Sequence, residues 1–210
     1  MSNVPAAPRQ KAPRRTAERI LDVALDLFNR YGEPGTSTGM IAAELRISPG
    51  NLYYHYPAKE TLVNALVERF EGAMQQTLPR AAAVGSLDDA SAFIGLLFEQ
   101  IWQHRFLYRD LNDLLTRNRP LEQHHSRMRE LQHDALRLLL ERLQQTGALR
   151  PAAAEQHARL ATTLLLVLTY WLSHEYASQP RSALEPDNQA RAITRGVAQV
   201  RSLLELLRPC

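Results

Sequence analysis

Residues 36–59 read T-S-T-G-M-I-A-A-E-L-R-I-S-P-G-N-L-Y-Y-H-Y-P-A-K, and two short apolar edges lie inside the stretch. Ile41, Ala42 and Leu45 share one side of a helix expected from Ser37 or Thr38 to Leu45, and Ile47 falls in the turn behind it. A second helix is expected to open at Ser48 with Pro49 in its first position. A hydroxyl before a helix accepts one of its orphan N–H groups, and proline there removes a donor that the helix does not use. Leu52 then gives this second helix a single inward anchor, so the two helices pack as a crossed pair.

The rest of the second helix is left facing outward. Asn51, Tyr53, Tyr54 and His55 make an unusual solvent face, because two tyrosines and a histidine add flat surfaces and hydrogen-bonding tips but little solubility. On a DNA-reading helix the same set has a use. Asn and His reach base edges in the major groove, tyrosine hydroxyls meet phosphate oxygens, and tyrosine rings pack on thymine methyls. Gly50 lets the backbone approach closely, Thr38 and Ser48 bring hydroxyls and exposed N–H groups toward phosphates, and the Lys59 ammonium suits a flanking phosphate. Tyr53 and Tyr56 also admit a core reading, with either ring closing the small core against Leu27 or Leu62.

Working outward, Ile20, Val23, Ala24, Leu27 and Phe28 recur at helical spacing and predict a first helix from about Pro13 to Tyr31, ended by Gly32. A fourth helix is expected from about Ala58 to Leu78, with Pro79 as terminator. Beyond residue 86 the chain is richer in Leu and breaks at Pro120, at Gly147 with Pro151, and at Pro180 with Pro186. Helices are expected there over Leu87 to Gln103, His104 to Arg117, Leu121 to Thr146, Ala152 to Ser178 and Asp187 to Leu207. No period-2 run of β-branched residues and no Asn-Gly or Asp-Gly hairpin turn appears, so the expected class is all-α.

With the F-N-R-Y-G close of residues 28–32 and the K-E-T-L opening of residues 59–62, the segment resembles the helix-turn-helix of the TetR family of bacterial regulators. The likeness is detailed up to that opening and only architectural beyond residue 80. It implies a basic arm over residues 1–12, a DNA-binding head over 13–59, and a larger helical body over 60–210 for effector binding and dimerisation. It also implies DNA contacts at Thr38, Ser48, Pro49, Asn51, Tyr53, Tyr54, His55 and Lys59. Two departures stand out. Arg46 occupies a turn position where relatives often carry Gly, and a left-handed backbone there costs about 1 kcal/mol. Gly39 lacks a side chain where some relatives contact a base.

Composition sets the frame. With 210 residues and 45% hydrophobic composition, the chain can bury roughly 70% of its unfolded surface without metals or disulfides. The one cysteine, Cys210, has no partner in the chain, which suits a reducing, cytoplasmic setting. Three prolines among polar residues in Met1 to Arg15 exclude an ordinary secretory signal. The most apolar run, Leu160 to Leu172, contains three threonines and falls short of the ~20 residues of a membrane span. Net charge is only +3, yet Arg9, Lys11, Arg14, Arg15 and Arg19 face Glu18 alone near the start, an excess that suits phosphate contact at Arg14 and Arg15.

A reading helix this short needs a second copy to reach a specific, palindromic site, so a homodimer is expected. Leu160, Leu164, Val167 and Trp171 on one helix and Ile193, Val197, Val200 and Leu204 on the last offer stripes for a four-helix interface, part of which must also close the monomer core. A small-molecule site, apolar with a few polar points, is expected among Phe93, Leu97, Ile101, Trp102, His104, Tyr108, Asn112, His133, Trp171 and His174. No cofactor is expected. Adjacent His124 and His125 with His133 lack the ligands to complete a tetrahedral metal set. Pairs such as Asp110 with His104 or Glu175 with His174 lack a nucleophile motif, which argues against catalysis. The reading is a ligand-responsive repressor; an architectural DNA binder of the same fold, or an all-α enzyme, are the rivals.

Overall fold

The protein, analysed as a computed structural model, is described over residues 12–209. Every regular element among them is helical: α1 (Ala12–Tyr31), α2 (Thr38–Leu45), α3 (Pro49–His55), α4 (Lys59–Thr77), a 3-10 turn (Leu78–Ala83), α5 (Leu87–Gln103), α6 (Arg105–Arg109), α7 (Leu111–Arg117), α8 (Arg119–Gln145), α9 (Ala154–Ser178), a second 3-10 turn (Pro186–Asn188) and α10 (Gln189–Glu205). Of the expected basic arm, all but Ala12 lies outside the described residues, as does Cys210. The chain divides into two compact units after Ala65. The boundary expected after Lys59 is too early, because the first turns of α4 contribute the buried Leu62 and Val63.

In the first unit the expected stripe of α1 is the core: Ile20, Ala24, Leu27 and Phe28 are buried, and Val23 is half-buried. Gly32 closes the helix at a φ of 79°, with its N–H on the Phe28 carbonyl at 2.8 Å. The buried Thr36 hydroxyl donates to the Gly32 carbonyl at 2.9 Å and so ties the loop back to the end of α1. Ser37 is the cap of α2, its Oγ accepting from the Met40 N–H. Arg46 adopts the left-handed conformation at φ 54°, as the turn requires, while Ile47 N–H returns to the Ala42 carbonyl.

The second unit packs α5 on α10 and α8 on α9. Phe93, Ile94, Leu97, Phe98 and Ile101 of α5 and Leu136, Leu139, Leu140 and Leu143 of α8 are buried. The segment expected as one helix from His104 to Arg117 is instead two, hinged at Asp110 with φ −106° and ψ 16°. Three consecutive residues, Phe106, Leu107 and Tyr108, are all buried, and successive residues lie about 100° apart around a helix. Leu111 and Leu114 of α7 are buried as well. Arg105 is buried beside them, with Nε on the Leu184 carbonyl at 3.0 Å and its guanidinium over the Trp102 ring.

The expected break at Pro120 is the first turn of α8 itself. Asn118 Oδ1 caps that helix by accepting from Leu121 N–H at 3.0 Å, and proline in the first turn forfeits no bond. Among the described residues, no helix is long and apolar enough to cross a membrane.

The α5–α10 approach depends on Gly196. A Cβ there would lie 2.8 Å from Phe98 Cζ and 2.9 Å from Trp171 Nε1. Neither group has room to yield, since Phe98 is buried and the Trp171 indole donates to the Ala192 carbonyl at 2.9 Å. Gly196→Ala is therefore expected to lower stability by about 1–3 kcal/mol in urea unfolding. Gly72→Ala in α4, where the added carbon meets nothing within 4 Å, should instead raise it by roughly 0.5–1 kcal/mol.

Candidate nucleic-acid interface

Seven residues make up α3, and Leu52 is its one buried side chain. Ser48 Oγ accepts from the Asn51 N–H at 3.2 Å, and Pro49 occupies the first position as expected. With Leu52 turned inward, Pro49, Gly50, Asn51, Tyr53 and Tyr54 are exposed and His55 is half-buried. Tyr54 is 79% exposed, its ring edge-on to the His55 imidazole at 5.1 Å. The Tyr53 hydroxyl lies 3.1 Å from Thr38 Oγ1, which joins the start of α2 to the outer face of α3. Tyr56 takes the inward place: half-buried, it donates to the Ala17 carbonyl of α1 at 3.4 Å. Arg14 and Arg15 are exposed near the start of α1, and Arg14 pairs with Glu18 at 3.3 Å.

Lys59 departs from its expected place. Its Nζ donates to the Glu33 carbonyl at 3.0 Å and to the Thr36 carbonyl at 3.1 Å, and pairs with Glu33 Oε1 at 3.0 Å. All three ammonium protons are thus directed at the α1–α2 loop. The lysine side chain is 24% exposed and the glutamate 2%. This is a staple for the loop, not a free cation for a phosphate.

In the second unit the residues expected to surround a small molecule are not brought together. Phe93, Leu97, Ile101 and Trp102 are closed in the core. Asn112 is exposed on α7. His133 bonds the Ala158 carbonyl at 3.1 Å. Trp171 and His174 stack at 5.3 Å on the wall of a surface groove along α9 and α10. Of that set, Tyr108 lines a partly open cavity, with Val67, Phe70 and Glu71 of α4, Leu107 of α6, Leu111 of α7, and Leu121, His124, His125, Met128 and Gln132 of α8. The cavity volume is about 30 Å³. Glu71 forms its charged edge, meeting His124 Nδ1 at 2.5 Å and Arg127 Nε at 3.8 Å. Burial pushes the Tyr108 phenol up, and pushes His125 down with help from Arg129. His104 is buried against Phe70; desolvation, with Arg69 adding to it, lowers its imidazole to about 4 despite a bond to the Gln100 carbonyl.

The stripes expected to pair two copies are shared with the core. Leu164, Val200 and Leu204 are buried within the chain itself, while Leu160, Val167, Trp171, Ile193 and Val197 are half-buried. The free apolar surface of α9 lies elsewhere, at Leu166, 54% exposed, and Tyr170, 48% exposed.

Residues 20–66 match the family described as "Bacterial regulatory proteins, tetR family", and residues 69–209 match "Bacterial transcriptional repressor" of the same family. The chain belongs to the TetR family. An uncharacterized HTH-type transcriptional regulator in the dhlA 5' region of Xanthobacter autotrophicus is 26% identical over 160 residues, covering 73% of this chain and 74% of that one. QacR of Staphylococcus aureus is 39% identical over 59 residues, covering 28% of this chain and 31% of QacR. A solved TetR-family regulator from Marinobacter aquaeolei is 26% identical with a TM-score of 0.74, over 92% of this chain and 99% of that one. Salmonella enterica GusR, 22% identical with a TM-score of 0.63 over 97% of this chain and all of that one, shares the fold. The Xanthobacter, Staphylococcus and Marinobacter proteins are transcriptional regulators, and as a TetR-family member the chain is a DNA-binding regulator, not an enzyme.

For a TetR-family head the face of α3 was legible from its caps and its one leucine. Lys59 was not: its partners lie 26 and 23 residues upstream in a loop without periodicity. Removing one member of a buried ion pair costs about 3–5 kcal/mol. Since Lys59 is partly exposed, Lys59→Ala should destabilise the protein by the lower part of that range in thermal or urea unfolding.

Proposed function

We propose that the chain is a repressor that binds a palindromic operator as a homodimer and leaves it when a small molecule occupies the body. The observation that carries the DNA-reading part is the exposure of Asn51, Tyr53 and Tyr54 on a helix whose only buried side chain is Leu52. In this reading α3 enters the major groove. Asn51 and His55 read base edges, Tyr54 packs on thymine methyls, and Tyr53 with Thr38 meets phosphate oxygens. Ser48, Pro49 and Gly50 let the backbone approach, and Arg14 and Arg15 add phosphate attraction.

Support for self-association comes from the open groove along α9 and α10, where exposed Leu166 and Tyr170 stand beside half-buried Val167 and Trp171 as an apolar strip. A second copy laying the same strip against it makes an isologous four-helix contact. Support for effector control comes from α4, which gives Leu62 and Val63 to the first unit's core and Val67, Phe70 and Glu71 to the cavity wall. A ligand held against α4 needs only unequal affinity for the DNA-competent and incompetent arrangements to act. The small volume of the cavity favours one rival, a DNA binder of this fold that senses no ligand.

The test is selection of genomic fragments on the full chain, followed by gel shifts. Tyr54→Ala is expected to weaken the selected complex by about 1–3 kcal/mol with unchanged circular dichroism, and Leu166→Glu to give a monomer in sedimentation that no longer shifts the fragment. Full affinity in Tyr54→Ala contradicts the α3 reading.

A further inference from the structure

Three buried side-chain polar atoms lack a hydrogen-bond partner among the described residues: His104 Nε2, Arg142 Nε and Glu175 Oε1. Glu175 Oε1 faces Arg195 Nη2 at 3.2 Å, and Arg142 donates through Nη1 to Gln145, so both groups are otherwise engaged. The His104 ring stands apart from them. Its Nδ1 lies 3.3 Å from the Gln100 carbonyl, which can only accept, so the proton resides on Nδ1. The imidazole is neutral near pH 7, because burial favours the uncharged form. Nε2 is then a lone-pair acceptor, and a buried acceptor without a donor is a standing cost.

Where that nitrogen sits gives it a use. The Phe70 ring meets the His104 imidazole edge-on at 5.3 Å and the Tyr108 ring at 6.0 Å. Phe70 and Tyr108 are walls of the small cavity, whereas His104 does not line it. As it stands the cavity has room for a single water. Phe70 is thus the ring that touches both the cavity and the imidazole, so a ligand that displaces it would reach His104.

We propose that the body binds a neutral, phenol-class molecule whose ring takes the place of the Phe70 ring and whose hydroxyl donates to His104 Nε2. This rests on the effector reading of the same cavity. The charges nearby exclude the ionic alternatives. Glu71 and the Nε2 lone pair repel an anion, and the Arg127 guanidinium at the edge is already engaged with Glu71. A cation would face Arg69 next to His104 and Arg129 next to His125. The Tyr108 hydroxyl is taken by Gln132, which leaves His104 Nε2 as the acceptor that sorts ligands.

The experiment is calorimetric titration of the full chain with phenol and with toluene, its isostere without a donor. Phenol is expected to bind at least about tenfold more tightly, although toluene is the more apolar, because only phenol satisfies the buried acceptor. The preference should vanish in His104→Phe. Phe70→Ala, which removes the wall without touching the acceptor, should bind phenol more tightly than the native chain and keep the preference. Equal binding of the two probes, a preference that survives in His104→Phe, or no phenol binding by either the native chain or Phe70→Ala overturns the inference. Gel shifts on the same preparations separate the two levels. An intact operator complex with no phenol binding removes this inference alone, and phenol binding that leaves operator affinity unchanged upholds it while removing the effector role.

Discussion

A helix of seven residues does not hold itself together in water, so α3 exists only because its neighbours hold it. Leu52 is its one apolar anchor, the Ser48 hydroxyl occupies one of its orphan donors, and Tyr56 ties its end to α1. Everything else on the helix is thereby left to solvent. The same scarcity of inward residues that makes α3 weak alone makes it a rigid display of Asn51, Tyr53 and Tyr54 once docked. Lys59 extends the logic to the loop in front, where it ties Glu33 and Thr36 and so fixes the approach of α2 to α1.

The body solves a different problem. Its helices are apolar enough that burial alone would permit several arrangements, and close contacts choose among them. Gly196 admits Phe98 and Trp171 to the backbone of α10, and α6 and α7 both bury apolar side chains on either side of the Asp110 hinge. The polar groups left inside are few and individually placed: Arg105 on the Leu184 and Trp102 carbonyls, Glu175 with Arg195, and His104 on Gln100. Such groups are expensive to bury, and those with unused capacity near a cavity are where a ligand's chemistry would be read.

How much of this the sequence carries depends on the range of the interactions. The all-α class, the stripe of α1, the caps of α2 and α3 and the left-handed Arg46 follow from spacing and local hydrogen bonding, and all were legible. The Asp110 hinge was not, because neither glycine nor proline marks it. Periodicity on α9 and α10 shows apolar stripes but does not separate Leu164, Val200 and Leu204, which the chain buries itself, from Leu166 and Tyr170, which it leaves exposed. The cavity is hidden from the sequence for the same reason: its walls come from four helices separated in sequence, and nothing local ties Val67 or Met128 to Tyr108.

The most direct measurement of the outward display of α3 places a cutting group on it. Asn51→Cys, in a chain whose Cys210 is replaced by Ser, would carry a tethered iron chelate on a selected operator fragment. Two symmetric sets of cuts, each centred on a major groove and separated by about one helical turn or a whole multiple of it, are the expected result. Cuts scattered evenly along the fragment, or none above those of the free chelate, would contradict the account.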